Sequence, residues 1–355
     1  MNKRITAVAA LALTACSGAA LAQSNVAFYG VIDLGISQDR GGVAGTSTRV
    51  TSGMATQSRW GFRGSEDLGS GNSAFFVIEG GIHADVGNST QNNTLFGRTS
   101  IVGLRNAKLG SISVGLQDTP LFTTLNTVVD PLRNGIARSN NLMPSTGFRA
   151  SNSVLVRTVD FSGFSADFMY AAGEVAGDIS ASRQMGGSIG YSKGPLNIRL
   201  AYHNRDNDTA TLKGTSSGRN FLLGANYDFG VAKAWFGYGV DKGPNSAPLN
   251  SSVNAFGGTP PTPSTDSRDL LLGVSVPFGP HTLVATVIDK DDRTQLNQDA
   301  QQYALAYMYA FSKRTDIYTS YARIRNHRGA GYTEGNSEEP GLGDRQFTVG
   351  LRHRF

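Results

Sequence analysis

The sequence of 355 residues predicts an all-β fold, a closed antiparallel transmembrane β-barrel of about sixteen strands. Three observations lead there. First, near the C-terminus Phe347, Val349, Leu351, His353 and Phe355 share one parity, and Gln346, Thr348, Gly350, Arg352 and Arg354 share the other. Successive side chains of a strand point to opposite faces, so this segment has one apolar face and one cationic face. Second, the connections alternate between short turns and long polar loops, giving an up-and-down meander with one smooth end and one ragged end. Third, Arg59, Arg63, Arg98, Arg157, Arg199, Arg205, Arg352 and Arg354 lie in or near predicted strands. An arginine facing lipid at mid-bilayer costs about 2–4 kcal/mol. All of them there would exceed a typical fold's stability of roughly 5–15 kcal/mol. They must point inward or sit at the rims, and a barrel of about sixteen strands is wide enough to enclose water.

The strands follow in order. In residues 26–37, Phe28, Ile32 and Leu34 oppose Tyr29, Val31 and Asp33; in 57–66, Trp60 and Phe62 oppose Arg59 and Arg63. Strands are then expected at 73–83, 95–105, 111–117, 152–161, 164–172 and 183–192. The later ones alternate more cleanly. Leu196, Ile198, Leu200 and Tyr202 oppose Asn197, Arg199, His203 and Arg205, and Phe221, Leu223, Ala225, Tyr227 and Phe229 oppose Asn220, Gly224, Asn226 and Asp228. Leu270, Leu272, Val274, Val276 and Phe278 face away from Asp269 and Ser275, and Tyr303, Leu305, Tyr307, Tyr309 and Phe311 away from Gln302. Two segments resist this reading: 282–290 is apolar on both parities, and 316–325 mixes Tyr with Arg.

Short turns rich in Gly, Pro and Asn fall at 69–72, 106–110, 161–163, 193–195, 228–230, 278–280 and 311–313. Long polar loops fall at 39–56, 85–94, 118–151, 174–182, 206–218, 242–267, 291–299 and 327–344. A soluble sandwich has no reason for such asymmetry, whereas a closed sheet leaves no unpaired edge in lipid. No internal domain boundary is visible.

The N-terminus reads as an export signal over residues 1–22. Lys3 and Arg4 precede an apolar run, and Ala20-Leu21-Ala22 is an A-x-A site. Leu13-Thr14-Ala15-Cys16 is a competing lipoprotein-type spelling. Cleavage after Ala22 would discard the only cysteine and leave a barrel of residues 23–355 without disulfides. Without Lys3 and Arg4, the 32 basic residues become 30 against 27 acidic, a net +3 too small to argue for nucleic acid. Charged residues make up 17% and Gly is abundant, yet 18 Phe and 12 Tyr are regularly spaced, which argues against disorder.

Signals for chemistry are thin. Gly186-Gly187-Ser188-Ile189-Gly190 and Gly214-Thr215-Ser216-Ser217-Gly218 spell a nucleophile elbow, but one lies within a predicted strand and the other in a loop, not on the strand-to-helix turn that motif needs. The five histidines have no metal spacing. No catalytic residue, metal or cofactor is expected.

Several segments resemble the general diffusion porins of β-proteobacteria. Residues 26–33 (VAFYGVID) resemble that family's opening strand, and residues 58–69 (SRWGFRGSEDLG) its second strand and first turn, the more specific match. Residues 226–233 (NYDFGVAK), 312–316 (SKRTD) and the ending 350–355 (GLRHRF) also match. The resemblance implies a 16-stranded barrel with an inward-folded third loop, assembled as a homotrimer. It further implies a water-filled channel for passive diffusion of small hydrophilic solutes and ions. The outer membrane of a Gram-negative bacterium would be its place, with contacts to lipids and lipopolysaccharide. Phe355 would be the signal read by the barrel-assembly machinery. Two positions depart from the family's pattern: Gly115-Leu116-Gln117 lacks a basic residue common there, and His353 stands where an apolar residue is usual.

By this similarity Arg59, Arg63 and Arg98 line the wall opposite the third loop, with Glu79 and Asp33 inward beside them. Arg157 and Arg199 are also expected on the pore lining. The loop contributes Asp118 and Asp130 but also Arg133, Arg138 and Arg149, so the constriction is expected to be basic and anion-preferring. The alternative is a substrate-specific channel for an anion or saccharide on the same barrel, for which Tyr29 and Trp235 are the candidate aromatics.

Overall fold

The computed structural model describes residues 25–144, 147–248, 254–336 and 339–355, with the side chains of 92 and 93 left aside. The expected export signal, with Cys16, lies outside the described residues. The strands are β1 (Asn25–Arg40), β2 (Ser47–Ser52), β3 (Arg59–Gly69), β4 (Asn72–His83), β5 (Asn88–Ser89), β6 (Thr99–Asn106), β7 (Gly110–Asp118), β8 (Arg149–Thr158) and β9 (Phe164–Ala171). They continue as β10 (Gln184–Lys193), β11 (Leu196–Arg205), β12 (Gly218–Asp228), β13 (Lys233–Lys242), β14 (Asp266–Phe278), β15 (His281–Asp292), β16 (Ala300–Ala310), β17 (Thr315–Asn326) and β18 (Arg345–Arg354). Neighbours in sequence pair antiparallel, and β18 returns to β1 from Arg40↔Arg345 down to Val31↔Arg354, closing the sheet.

Sixteen wall positions result, because two of the eighteen segments add none. β5 is a short ladder at the top of β4. β2 and β3 share one position, β2 pairing with the upper half of β1 and β3 with the lower half. Between them residues 53–58 leave the wall and dip inward, where Met54 and Ala55 are buried. The sequence reading put β2 inside a loop. Its six residues, Ser-Thr-Arg-Val-Thr-Ser, hold one large apolar side chain, so no hydrophobic alternation marks it.

The outside is apolar as the parity requires. Val102 (62% exposed), Leu272 (54%), Leu305 (58%), Phe347 (48%) and Leu351 (49%) stand outward with no protein against them, which is stable only against lipid. Phe355 joins this face. Its ring packs on Phe28 at 5.5 Å, and its backbone exchanges two hydrogen bonds of 3.1 Å with Gly30. A Cβ on Gly30 would lie 2.4 Å from that ring, so glycine makes the seat for the last side chain.

The third long loop, residues 119–148, folds into the barrel. Thr119 caps a helical turn, Pro120–Thr124, accepting from the Phe122 N–H at 3.2 Å, with Pro120 at the first helical position. Leu121, Leu125 and Val129 then pack on the inner faces of β11–β15, against Ala201, Leu222, Leu271 and Ile288. The loop tip, with Leu132, Ile136 and Ala137, packs on Met54, Ala55, Val284, Ala304, Ala306 and Tyr318. This explains why 282–290 is apolar on both faces: Val284 and Ile288 meet the loop, while Leu283 and Val287 meet lipid. Tyr318 is likewise turned inward and buried, whereas Ile317 and Tyr321 face out.

Candidate channel constriction

The folded loop occupies one side of the lumen and leaves the other side open, where the wall is β1, β3, β4, β6, β7 and β8. Glu79 on β4 is the centre of the charged lining. Arg98, just before β6, donates from Nε to Glu79 Oε1 at 2.7 Å; Arg59 Nε lies 3.3 Å from Oε2; the Tyr29 hydroxyl donates to Oε2 at 2.9 Å. Arg63 stacks over the Tyr29 ring at 5.1 Å. Cross-strand register produces the cluster: Tyr29↔Gly61↔Glu79↔Thr99 forms one row, with Arg59 and Arg63 two residues either side of Gly61.

Asp118 ends β7 and Arg149 begins β8, in register and 3.0 Å apart. Arg149 also lies over the Phe122 ring at 5.8 Å, and Phe122 stacks on Phe148 at 4.6 Å, closing the neck of the loop. From the loop tip exposed Arg133, together with Tyr29, Thr56, Arg59, Arg352 and Arg354, lines a polar cavity of about 400 Å³. Arg352 and Arg354 both bind Asp316 at 2.9 Å. Around the open passage Arg59, Arg63, Arg98, Arg133, Arg149, Arg352 and Arg354 therefore stand against Glu79, Asp118 and Asp316.

Other expected residues are placed elsewhere. Arg157 and Arg199 face inward but lie near the short-turn rim, both on Asp167, at 3.7 and 2.7 Å. Ser188, from the first elbow spelling, bridges Asp167 and Arg199 at 2.9 Å each rather than meeting a histidine. Asp33 is fully buried and does not line the pore. Its carboxylate accepts from the N–H groups of Ala55 (3.0 Å) and Thr56 (2.7 Å) and from the Tyr318 hydroxyl, pinning the 53–58 excursion to the wall. Asp130 is likewise turned into the loop, accepting from the N–H groups of Leu132, Asn134 and Ser139, and burial pushes its carboxyl up. Arg138 is half-buried beneath the eighth long loop, its Nε donating to Asn141 at 2.9 Å; burial lowers its guanidinium to about 10, and nearby Glu334 opposes the shift. Charge alone nominated these residues. Which of them meet water depended on where 53–58 and 119–148 settle, and no local pattern encodes that.

Sequence reasoning passed over several buried charged groups, among them Lys290, Asp241 and Glu334. Lys290 on β15 is sealed from water. Its Nζ donates to Asp269 at 2.8 Å, to Ser267 at 2.8 Å and to the Leu142 carbonyl at 3.0 Å, with Asp241 at 3.7 Å. It ties the returning limb of the third loop to β13, β14 and β15. The available signal was the spacing that puts Asp269 opposite Lys290.

A closed sheet with an apolar outside, a charged inside and a loop narrowing the lumen defines a water-filled channel through a membrane. Comparison with known proteins agrees: residues 7–329 match the Gram-negative porin family, and the chain belongs to it. It is 32% identical to outer membrane porin protein 32 of Delftia acidovorans over 98% of both chains. It is 29% identical to an outer membrane porin protein of Bordetella pertussis over 99% of both. Among solved structures, an anion-selective porin from Comamonas acidovorans superposes with a TM-score of 0.72 at 26% identity, covering 94% of this chain and all of that one. The protein is thus a porin of the outer membrane, a passive channel for small hydrophilic solutes and ions.

Proposed function

We propose that this channel prefers anions, and that the preference is set by Arg59, Arg98, Arg133 and Arg149, with Arg63, Arg352 and Arg354 extending the cationic strip. The observation that carries this is the imbalance around the open passage, where the carboxylates Glu79, Asp118 and Asp316 are each already paired with arginine and are outnumbered by the seven guanidiniums. A narrow, low-dielectric passage focuses the remaining positive field on a passing ion. The 26%-identical Comamonas porin, named as anion-selective, supports the same reading. Simple diffusion is favoured over a saccharide site, because the Tyr29 hydroxyl is held by Glu79 and the Trp235 N–H by Ser275. Export by removal of residues 1–22, a barrel domain of 23–355, assembly as a homotrimer, lipopolysaccharide contact and reading of Phe355 by the assembly machinery belong to the same proposal. Zero-current potentials in a potassium chloride gradient test the selectivity. A potential of the sign set by chloride is expected; one of the opposite sign refutes it.

A further inference from the structure

At the ragged end of the lumen the fold brings together three side chains that lie far apart in the chain. His83, Asp85 and Glu339 are half-buried, and an imidazole nitrogen and two carboxylate oxygens lie within 4.8 Å of one another. His83 is the last residue of β4. It shares the inward parity of Glu79, four residues and about 13 Å away along the strand. Asp85 follows two residues on, whereas Glu339 comes from the eighth long loop, near the end of the chain. That is why the histidines show no metal spacing in the sequence.

Each donor is held in place by its own contacts. The Ala84 N–H donates to Ser52 Oγ on β2 at 3.0 Å, which fastens the end of β4 to the neighbouring wall. The His83 carbonyl accepts from the N–H groups of Val86 (3.2 Å) and Gly87 (2.7 Å), so the chain turns at once and keeps Asp85 beside His83. Asp85 Oδ1 is sealed from solvent and meets no hydrogen-bond donor among the described residues. An oxygen in that condition costs free energy until a donor or a cation reaches it. Glu339 is aimed by Arg49, whose Nη1 donates to Oε2 at 2.6 Å while its Nη2 donates to Asp39 at 2.7 Å. Ligating carboxylates are commonly oriented by such a hydrogen bond. Zinc bonds of about 2.0–2.2 Å put tetrahedral ligand atoms about 3.3 Å apart, so each donor need move by no more than about 1 Å to close on an ion.

We propose that His83, Asp85 and Glu339 bind a divalent transition cation of the Zn²⁺ class at the outer mouth, and that the ion clamps the eighth long loop to the end of β4. Imidazole beside carboxylate suits Zn²⁺, Ni²⁺ or Cu²⁺, whereas Ca²⁺ and Mg²⁺ take oxygen ligands. Three protein donors leave a fourth position to water. The ion offsets both carboxylate charges and satisfies the sealed oxygen of Asp85. It joins a turn fixed on the wall to a loop that Arg49 already draws toward it. The site lies outside the constriction and does not depend on the ion selectivity proposed above.

The test uses the refolded channel in detergent, stripped with a chelator and titrated by calorimetry with zinc, calcium and magnesium chlorides. Zn²⁺ should bind once per chain, and Ca²⁺ and Mg²⁺ at least about tenfold more weakly. Zn²⁺ binding should weaken by about tenfold or more in His83→Gln, in Asp85→Asn and in Glu339→Gln, since losing a ligand costs at least as much as losing a ligand's supporting partner. His327→Gln removes an exposed histidine of the same loop that stands outside the group, and it should bind as the parent does. The clamp has its own readout: Zn²⁺ should slow trypsin cleavage after exposed Arg328 in the parent but not in Glu339→Gln. With chelator present all four variants should conduct as the parent does, which tells a lost ligand from a lost fold. Equal Zn²⁺ affinity in the parent and His83→Gln, or Ca²⁺ binding as tight as Zn²⁺, overturns the site. Cleavage that ignores Zn²⁺ overturns the clamp.

Discussion

The third loop rests on a floor of glycines, and a single methyl group should lift it. Gly237 on β13 faces inward beneath Val129. A Cβ there would lie 2.3 Å from Val129 Cγ1 and 3.3 Å from Met143 Cε. Carbon atoms settle at about 3.5–4.0 Å, so one side must withdraw by more than about 1 Å. The wall is held by its neighbours, with Gly237 registered to Gly224 on β12 and Leu271 on β14. The loop must therefore move toward the open lumen. Gly237→Ala is expected to cost about 1–3 kcal/mol of overpacking and to lower single-channel conductance in planar bilayers. Val129→Ala removes both methyls, the colliding Cγ1 among them, worth about 1.6 kcal/mol of burial on its own. Combined with Gly237→Ala it should restore conductance, so the double-mutant cycle has a coupling of opposite sign to the single costs. Parental conductance in Gly237→Ala, or a double variant no better than the single, would refute a loop seated on that floor.

Glu79→Gln removes the carboxylate shared by Arg59 and Arg98; at roughly 0.8 kcal/mol between unit charges 5 Å apart in water, acting with opposite sign on the two ions, the chloride-to-potassium permeability ratio should rise roughly sixteenfold, measured as a reversal potential. Lys290→Met leaves Asp241 and Asp269 buried without their cation and should cost about 3–5 kcal/mol, seen as a lower temperature of heat-modified gel mobility. Changing both aspartates to Asn as well should recover most of that loss. Glu334, on the eighth long loop, is fully buried; burial pushes its carboxyl well above the usual range although Arg138 opposes this, and only one oxygen has a partner, the Asn141 amide at 3.3 Å. The folded state thus binds a proton more tightly than the unfolded one, so its contribution is full below the ordinary carboxylate pKa and is lost as pH rises above it. Glu334→Gln should remove this dependence. Protease resistance of the loop should match the parent at pH 4 and exceed it at pH 7.

Much of the barrel was legible because lipid imposes a strict rule on it. In Phe347-Val349-Leu351 and in Leu270-Leu272-Val274 one face meets hydrocarbon and the other does not, and period-two alternation records that difference directly. The rule lapses wherever lipid is absent. β2 lies level with Ile36 but holds a single large apolar side chain, Val50, and was invisible. Asp33 and Asp130 share their residue type with Asp118, yet only Asp118 borders the passage. What separates them is a set of backbone N–H groups, from Ala55, Thr56, Leu132 and Asn134, brought to the carboxylates by loop geometry. Lys290 was missed for the converse reason, since one cation in a segment apolar on both sides looks like noise until the third loop covers it.

The inner wall is divided into two chemistries, and that division is what makes the channel off-centre. From β11 to β17 the inward positions include Ala201, Leu222, Gly224, Gly237, Gly239, Leu271, Gly273, Val284 and Ala304. Side chains small enough to let another segment lie flat recur among them: Gly224 and Gly237 under Val129, Gly239 under Pro144, Gly273 beside Pro131. Apolar surface facing a water-filled lumen would be costly, and the third loop covers it. From β1 to β8 the inward positions include Tyr29, Arg59, Arg63, Glu79 and Arg149, too bulky and too strongly hydrated to be covered in that way. The loop therefore has one side on which it can settle, and ions have the other. Narrowing and selectivity follow from one arrangement: the surface that holds the loop is mainly apolar, with its buried Lys290 paired to Asp241 and Asp269, so the water that remains is bounded mainly by guanidinium groups.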